Sequence, residues 1–319
     1  MTSTIESMGV EIKNQIDDLP SYTDSLSKSP PPAQSESGGG NCIFTGAGDS
    51  YAAALAAEIL SRCAARCLDP YEISRQPSLA SNLHLYVISV SGRTKSNIAA
   101  AKAVSGYSRE VSAITANRDS QLSKCSDSVI ELRFRSKGQL TPGTVSFTTS
   151  LLACYSLISS LPKNTPIGDV YEEALSWCHG IEVPSRSTTF LVGTGLAYPL
   201  AMYGMAKIYE VLGFKSQCQR TEEFSHMELF SLTKDDLVLV MPENGSDRNA
   251  EKLHSLLEEN SLKTALLPPR FRNEIEESVR RAIYLQVLAW RSAKKRGMME
   301  CSFINRGELL KISDKMIYI

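Results

Sequence analysis

The chain has 319 residues, 42% of them hydrophobic and 22% charged, and a formal net charge of −1 at pH 7. That length sets one or two domains, the composition is that of a soluble globular protein able to bury real cores, and the near-neutral charge argues against nucleic acid or an anionic membrane as a partner. No apolar run approaches the ~20 residues of a membrane span, and the N-terminus lacks the basic-then-apolar order of a secretory leader, so a cytoplasmic location is expected.

Ile5, Met8, Ile12 and Ile16 recur at helical spacing and predict a first helix over 4–18, capped by Ser3 or Thr4. The stretch SLSKSPPPAQSESGGG follows. Its proline, serine and glycine with almost no apolar residue predict a linker through residue 40. A first domain, 41–163, is then expected. Cys42-Ile43-Phe44-Thr45 reads as a buried strand, Gly46 to Ser50 as a tight turn and 51–66 as an alanine-rich helix. Further strands are read at 85–90, 110–116 and 128–133, with helices over 95–106 and from Pro142-Gly143-Thr144 through 160. A connecting helix over 164–180 leads to a second domain, 181–297. There the pattern restarts: strand 189–192, Gly193-Thr194-Gly195, helix 198–212, strand 237–241, helix 248–259, strand 263–267 and a long helix over 273–296. A tail, 298–319, completes the chain. Strands alternating with helices imply parallel pairing, hence an α/β fold of two tandem domains.

The eight cysteines are scattered and mostly sit in apolar segments, the pattern of reduced thiols used as small hydrophobes. Cys63 and Cys67 lie four apart on a predicted helix, but no second pair or histidine joins them. Packing is the reading, and neither a metal nor a cofactor is expected.

Ser89, Ser91, Thr94 and Ser96 cluster where a buried strand becomes a helix. Hydroxyls and free N–H groups at a helix N-terminus suit an anion, and Gly92 lets the backbone approach it. The Gly46–Ser50 turn and the 143–149 segment would form the walls, at the carboxyl ends of the strands. Any one of these hydroxyls alone would be a helix cap or turn former; three such turns in one domain point to a phosphate. No Gly-x-x-x-x-Gly-Lys-Ser/Thr occurs, so this is not a nucleotide triphosphatase loop.

The stretch from Gly193 to Leu229 combines a buried strand, a glycine turn, a helix carrying Lys207 and Glu210, and a short loop delivering Glu222, Glu223 and His226. An acid, a base and a cation brought within about twenty residues make a candidate active-site frame, because glutamate can take and return a proton and histidine can serve as acid or base.

These residues resemble the sugar isomerase (SIS) domain proteins, and most closely the isomerase half of the glucosamine-6-phosphate synthases, over residues 41–311. Ser89-Val90-Ser91-Gly92-Arg93-Thr94 is similar to the family's Ser-x-Ser-Gly-x-Thr phosphate loop. The run from Gly143 to Thr149 resembles the segment that closes over the sugar. Tyr198-Pro199, Ala201, Gly204, Lys207 and Glu210 follow the synthase spacing, with His226 sixteen residues after Glu210. The resemblance implies two α-β-α sandwiches, each with a five-stranded parallel sheet. It implies phosphate binding by Ser89, Ser91, Thr94, Ser50 and Gly48, and sugar contacts from Gly143, Thr144 and Ser146. Glu210 would be the base between C1 and C2, and Lys207 would support the open-chain sugar or its imine. His226 would open the ring from the neighbouring subunit of a homodimer, and Lys311 or Lys315 of the tail would close the site.

The chain departs from the synthases at Val90, Arg93 and Gly48, and a glutaminase domain is not expected. The implied activity is a phosphosugar isomerase that interconverts fructose 6-phosphate, with ammonia, and glucosamine 6-phosphate. A phosphoglucose/phosphomannose isomerase, suggested by Glu223 to Leu229, and a binding-only sugar-phosphate protein are the alternatives.

Overall fold

The computed structural model describes residues 2–28 and 42–318. The helix α1 spans Thr4–Lys28 with Pro20 inside it. It thus runs well past the expected end at residue 18, because Leu19, Tyr22 and Leu26 continue its buried stripe and Tyr22 donates a hydrogen bond to the Glu131 carbonyl at 3.1 Å. That burial outweighs the one backbone bond a proline removes. Beyond Lys28, the proline-, serine- and glycine-rich linker lies outside the described residues.

The next elements are β1 (Cys42–Gly46), α2 (Asp49–Leu60), β2 (Arg66–Cys67), α3 (Pro70–Arg75), β3 (His84–Ile88), α4 (Lys95–Ala103), β4 (Glu110–Thr115), β5 (Ser128–Glu131) and α5 (Val145–Ser156). There follow α6 (Ile167–Trp177), β6 (Thr189–Gly193), α7 (Ala197–Lys207), a π-helical turn over Ile208–Leu212, β7 (Ser216–Gln219) and α8 (Thr221–His226). The chain ends with β8 (Leu237–Met241), α9 (Arg248–Glu259), β9 (Lys263–Leu266), α10 (Glu274–Lys295), α11 (Ser302–Asn305) and α12 (Gly307–Ile317).

Packing divides these elements into two compact units. One holds Asp17–Arg135, Val145–Asn164 and Gly307–Ile319; the other holds Met1–Ile16, Ser136–Thr144 and Thr165–Arg306. The first contains a sheet of order β2-β1-β3-β4-β5, all parallel. Strands β1 and β3 are buried throughout, as strands covered on both faces must be. Five buried alanines, Ala52, Ala53, Ala54, Ala56 and Ala57, line α2 in the same unit. The second unit has a parallel sheet of order β7-β6-β8-β9, so among the described residues it has four strands rather than the five expected. The edge strands β2 and β7 were not predicted; Arg66–Cys67 is two residues long and Ser216–Gln219 is polar, so neither carries an apolar run. Cys63 and Cys67 do not share a helix: α2 stops at Leu60, Cys63 has a φ of 61° and Cys67 lies in β2.

In both sheets the winding reverses between the first and third strands of the set, at β1/β3 and at β6/β8. Open α/β sheets bind ligands at the carboxyl ends of such a pair. Registers Gly46↔Ile88 and Gly193↔Met241 bring the loops leaving each pair side by side.

The loops behind β8 and β9 are pinned by a buried charge cluster on α10. Glu277 accepts from Arg280 at 2.7 and 3.0 Å and pairs with Arg281 at 3.1 Å, and it also accepts from the N–H groups of Arg270 and Phe271. Arg280 donates onward to the Pro268 carbonyl, and Arg281 to the carbonyls of Pro242 and Glu243. Burial alone would raise the Glu277 carboxyl, but hydrogen bonds from Arg280 and the charges of both arginines bring it below its ordinary value of 4.5. The stabilisation is therefore complete above that value and is lost as pH falls through the lowered folded value. Glu277→Gln is expected to cost about 3–5 kcal/mol, since it leaves two buried guanidiniums without their carboxylate. Denaturant titration at pH 7 measures this, and the deficit should shrink in acid.

Candidate active site

In the β1–β5 unit, Ser89 to Thr94 forms the turn from β3 into α4. The neighbouring strand braces it: the Ser89 N–H donates to the Ile114 carbonyl, and the Val90 carbonyl accepts from the Ala116 N–H and the Thr115 hydroxyl. Gly92 has a φ of 64°, and a Cβ there would stand 2.1 Å from the Ser120 hydroxyl oxygen, so conformation and space both require glycine. Thr94 occupies the N-cap of α4, yet its hydroxyl makes no capping bond. It lies 3.0 Å from the Ser89 hydroxyl, which is buried, while Ser91 is exposed at the mouth of the turn. The first N–H groups of α4 lack intrahelical acceptors, as at any helix start. Gly48 (φ 60°) caps α2 across the switch point, followed by half-buried Asp49 and Ser50. The expected phosphate residues Ser89, Ser91, Thr94, Gly48 and Ser50 thus border one crevice of one sheet.

The C-terminal segment reaches the same turn. Tyr318 bridges Thr94 in antiparallel fashion, the Arg93 guanidinium lies 6.0 Å from the Tyr318 ring centre, and Lys95 Nζ donates to the Lys315 carbonyl at 2.5 Å. Lys311 sits on α12 with its amine exposed, 3.9 Å from Glu308.

The β6–β9 unit carries Lys207 and Glu210. Lys207 is the last residue of α7, has no exposed side chain, and its Nζ donates to Glu210 Oε2 at 2.5 Å; the Glu210 side chain is 39% exposed. Glu210 sits in the π-helical turn, a feature that often marks functional positions. Gly213 closes this turn with a φ of 70° and N–H bonds to the carbonyls of Ile208 and Tyr209. A Cβ there would stand 2.1 Å from the Ser302 hydroxyl oxygen, so a tight contact with α11 sets the local geometry. The Lys207 amine lies 5.0 Å from the centre of the buried Tyr203 ring. The Tyr203 hydroxyl donates to the Gly143 carbonyl at 2.6 Å. Gln286 holds the Thr144 carbonyl, and Glu11 accepts from the Thr144 and Thr141 hydroxyls. Gly143 and Thr144 are therefore brought to Lys207 and Glu210 through Tyr203. Ser146 belongs to the other unit, on α5, half-buried.

His226 ends α8, a short helix where a loop was expected. Its ring is exposed, with Glu222 as its polar partner at 3.2 Å. Met227 and Phe230 beside it are exposed as well, Phe230 at 84%.

Tyr203 and Cys301 were not read from the sequence. Tyr203 was within reach, because it lies four residues before Lys207 and thus on one helix face. The Cys301 thiol is pushed up to about 11, by burial first, with the Glu210 charge adding to the rise. It had no local signal. Lys207→Met should be the milder change and Glu210→Gln the more costly one. The first leaves a half-exposed, hydrated carboxylate, and the second leaves a buried ammonium short of its counter-charge. Thermal unfolding should show a penalty for Glu210→Gln of about 1–3 kcal/mol, reduced from the fully buried case by the exposure of Glu210.

No protein-family model and no curated sequence matches the chain. Solved structures do. Glucosamine-6-phosphate deaminase from Thermotoga maritima superposes with a TM-score of 0.75 at 18% identity, covering 92% of this chain and 96% of that one. Tagatose-6-phosphate ketose/aldose isomerase from Escherichia coli gives 0.73 at 16%, with 93% of each chain covered. The C-terminal domain of glucosamine-fructose-6-phosphate aminotransferase from Francisella tularensis gives 0.66 at 17%, covering 92% and 97%. The chain has the fold of the sugar isomerase proteins that its motifs resemble.

Proposed function

We propose that the chain is a phosphosugar aldose–ketose isomerase of the amino-sugar type, interconverting fructose 6-phosphate plus ammonia and glucosamine 6-phosphate. The carrying observation is the Glu210 carboxylate, half-exposed on a π-helical turn and held at 2.5 Å by the buried Lys207. A base needs access to a carbon-bound proton and a fixed orientation. Exposure provides the first, and the buried lysine provides the second. The similarity to a glucosamine-6-phosphate deaminase and to the C-terminal domain of a glucosamine-fructose-6-phosphate aminotransferase supports the reading.

In this scheme the chain is two tandem sugar isomerase domains. Ser89, Ser91, Thr94, Ser50 and the backbone at Gly48 hold the phosphate, and Gly143, Thr144 and Ser146 contact the sugar. Glu210 transfers the proton between C1 and C2. Lys207 steadies the carboxylate and the charge that develops on the open-chain sugar or its imine. His226 opens the ring from the second subunit of a homodimer; its exposed ring, flanked by exposed Met227 and Phe230, suits contact with another copy. Lys311 closes the site from α12.

The test is one reaction mix of protein and fructose 6-phosphate, with and without ammonium, with products resolved by mass and epimer. Glucosamine 6-phosphate formed only with ammonium is the expected result. Glucose or mannose 6-phosphate regardless of ammonium would make the protein a phosphoglucose/phosphomannose isomerase. Binding without any product would make it a sugar-phosphate binder. Glu210→Gln should lower turnover by about 10²–10⁴-fold, the contribution of a positioned acid–base group, with phosphosugar binding retained. Loss of binding by a folded Glu210→Gln protein would remove it from the role of base. His226→Ala should slow cyclic substrates more than open-chain ones, and equal loss on both would rule out ring opening as its task.

A further inference from the structure

A second concave surface lies in the β6–β9 unit, where the end of α6 meets the end of α10. Its volume is about 410 Å³, and its lining includes His179, Ile181, Arg291, Lys294, Lys295 and Arg296. Small-molecule sites run from ~300 to 1,000 Å³, so a bare phosphate would leave most of this one empty. Four permanent cations line it against a single acid, Glu182. Among the described residues none of the four has a carboxylate within ion-pairing distance, so the cleft carries an excess of positive charge. Arg296 is held by carbonyls instead, donating to those of Ser292 and Val183, with its guanidinium 5.1 Å from the Phe214 ring centre. Arg291 lies 3.2 Å from His179 Nε2. A guanidinium can only donate, so that nitrogen accepts and the imidazole proton sits on Nδ1. The pair thus leaves the positive charge of Arg291 uncompensated.

A helix C-terminus attracts cations through its dipole, and that accounts for lysines on the last turn of α10. It does not account for the concavity, for Arg291 one turn earlier, or for His179 and Ile181 arriving from a different element to complete the wall.

We propose that this cleft is a binding site for an organic diphosphate of nucleotide size. The phosphates would lie among Arg291, Lys294, Lys295 and Arg296, and the organic part would lie against Ile181. The site is independent of the Ser89–Thr94 turn and does not depend on the isomerase reading.

The experiment is isothermal titration calorimetry of the full-length protein with ADP, pyrophosphate and adenosine as probes. Three proteins are compared: the unaltered chain, an Arg291→Gln/Lys294→Gln variant, and a Ser91→Ala/Thr94→Val variant. Arg296 is left intact because it anchors backbone carbonyls. ADP should bind the unaltered chain, weaken steeply with added salt, and lose at least tenfold in affinity in the Arg291/Lys294 variant, whose circular dichroism and unfolding midpoint stay unchanged. The Ser91/Thr94 variant should bind ADP as the unaltered chain does. The proposal is overturned if ADP does not bind at millimolar concentration, if the Arg291/Lys294 variant binds equally well, or if the Ser91/Thr94 variant loses binding. Pyrophosphate binding as tightly as ADP would overturn the organic part of the ligand.

Discussion

Parallel strand pairing is the constraint from which the rest follows. It sends every strand of a sheet the same way, so all the loops that leave carboxyl ends gather on one edge, and each helix must return the chain to the opposite edge. At β1/β3 and β6/β8 the winding reverses and neighbouring loops part, which opens a crevice without cutting the core. The Ser89–Thr94 turn, the Gly48 cap and the Gly193–Gly195 turn are all strand-to-helix junctions on such edges. The strands beneath them, buried on both faces, already satisfy the core.

Buried ion pairing is the second organising element, and two such groups stand out in the β6–β9 unit. The Glu277–Arg280–Arg281 cluster fastens the loops after β8 and β9, and the Lys207–Glu210 pair fixes one carboxylate. The two differ in balance. The first is closed, with its acid and both bases buried. The second is open, with its base buried and its acid half in solvent. A closed cluster sets geometry, whereas an open one leaves a fixed carboxylate facing solvent.

Much of this was legible in the chain. Leu85–Ile88, Phe190–Val192 and Leu237–Met241 are continuous apolar runs, and each lies in a buried central strand. Lys207 and Glu210, three apart, had to share a helix face. Other features were not legible, for reasons that can be named. Strands β2 and β7 exist because a neighbour offers a free edge, a tertiary fact that leaves no apolar signature. Gly213, which closes the π-helical turn, packs against Ser302, a contact distant in sequence that leaves no local signal. Helix α12 has no buried residue, so its apolar residues could be read as tail as easily as helix. The first helix was ended at residue 18 because its apolar repeat was followed only from Ile5 to Ile16, whereas Leu19, Tyr22 and Leu26 carry the buried stripe on.

The two switch-point crevices share a winding and differ in sign. Behind β3 the backbone turn is lined by hydroxyls. Behind β6, Gly195 has a φ of 56°, and a Cβ there would fall 1.6 Å from a Glu243 oxygen, so a carboxylate lies directly over the turn. A carboxylate in that position disfavours an anion, whereas the free N–H groups at the start of α4 favour one. One side chain thus sets apart two crevices that share the same winding.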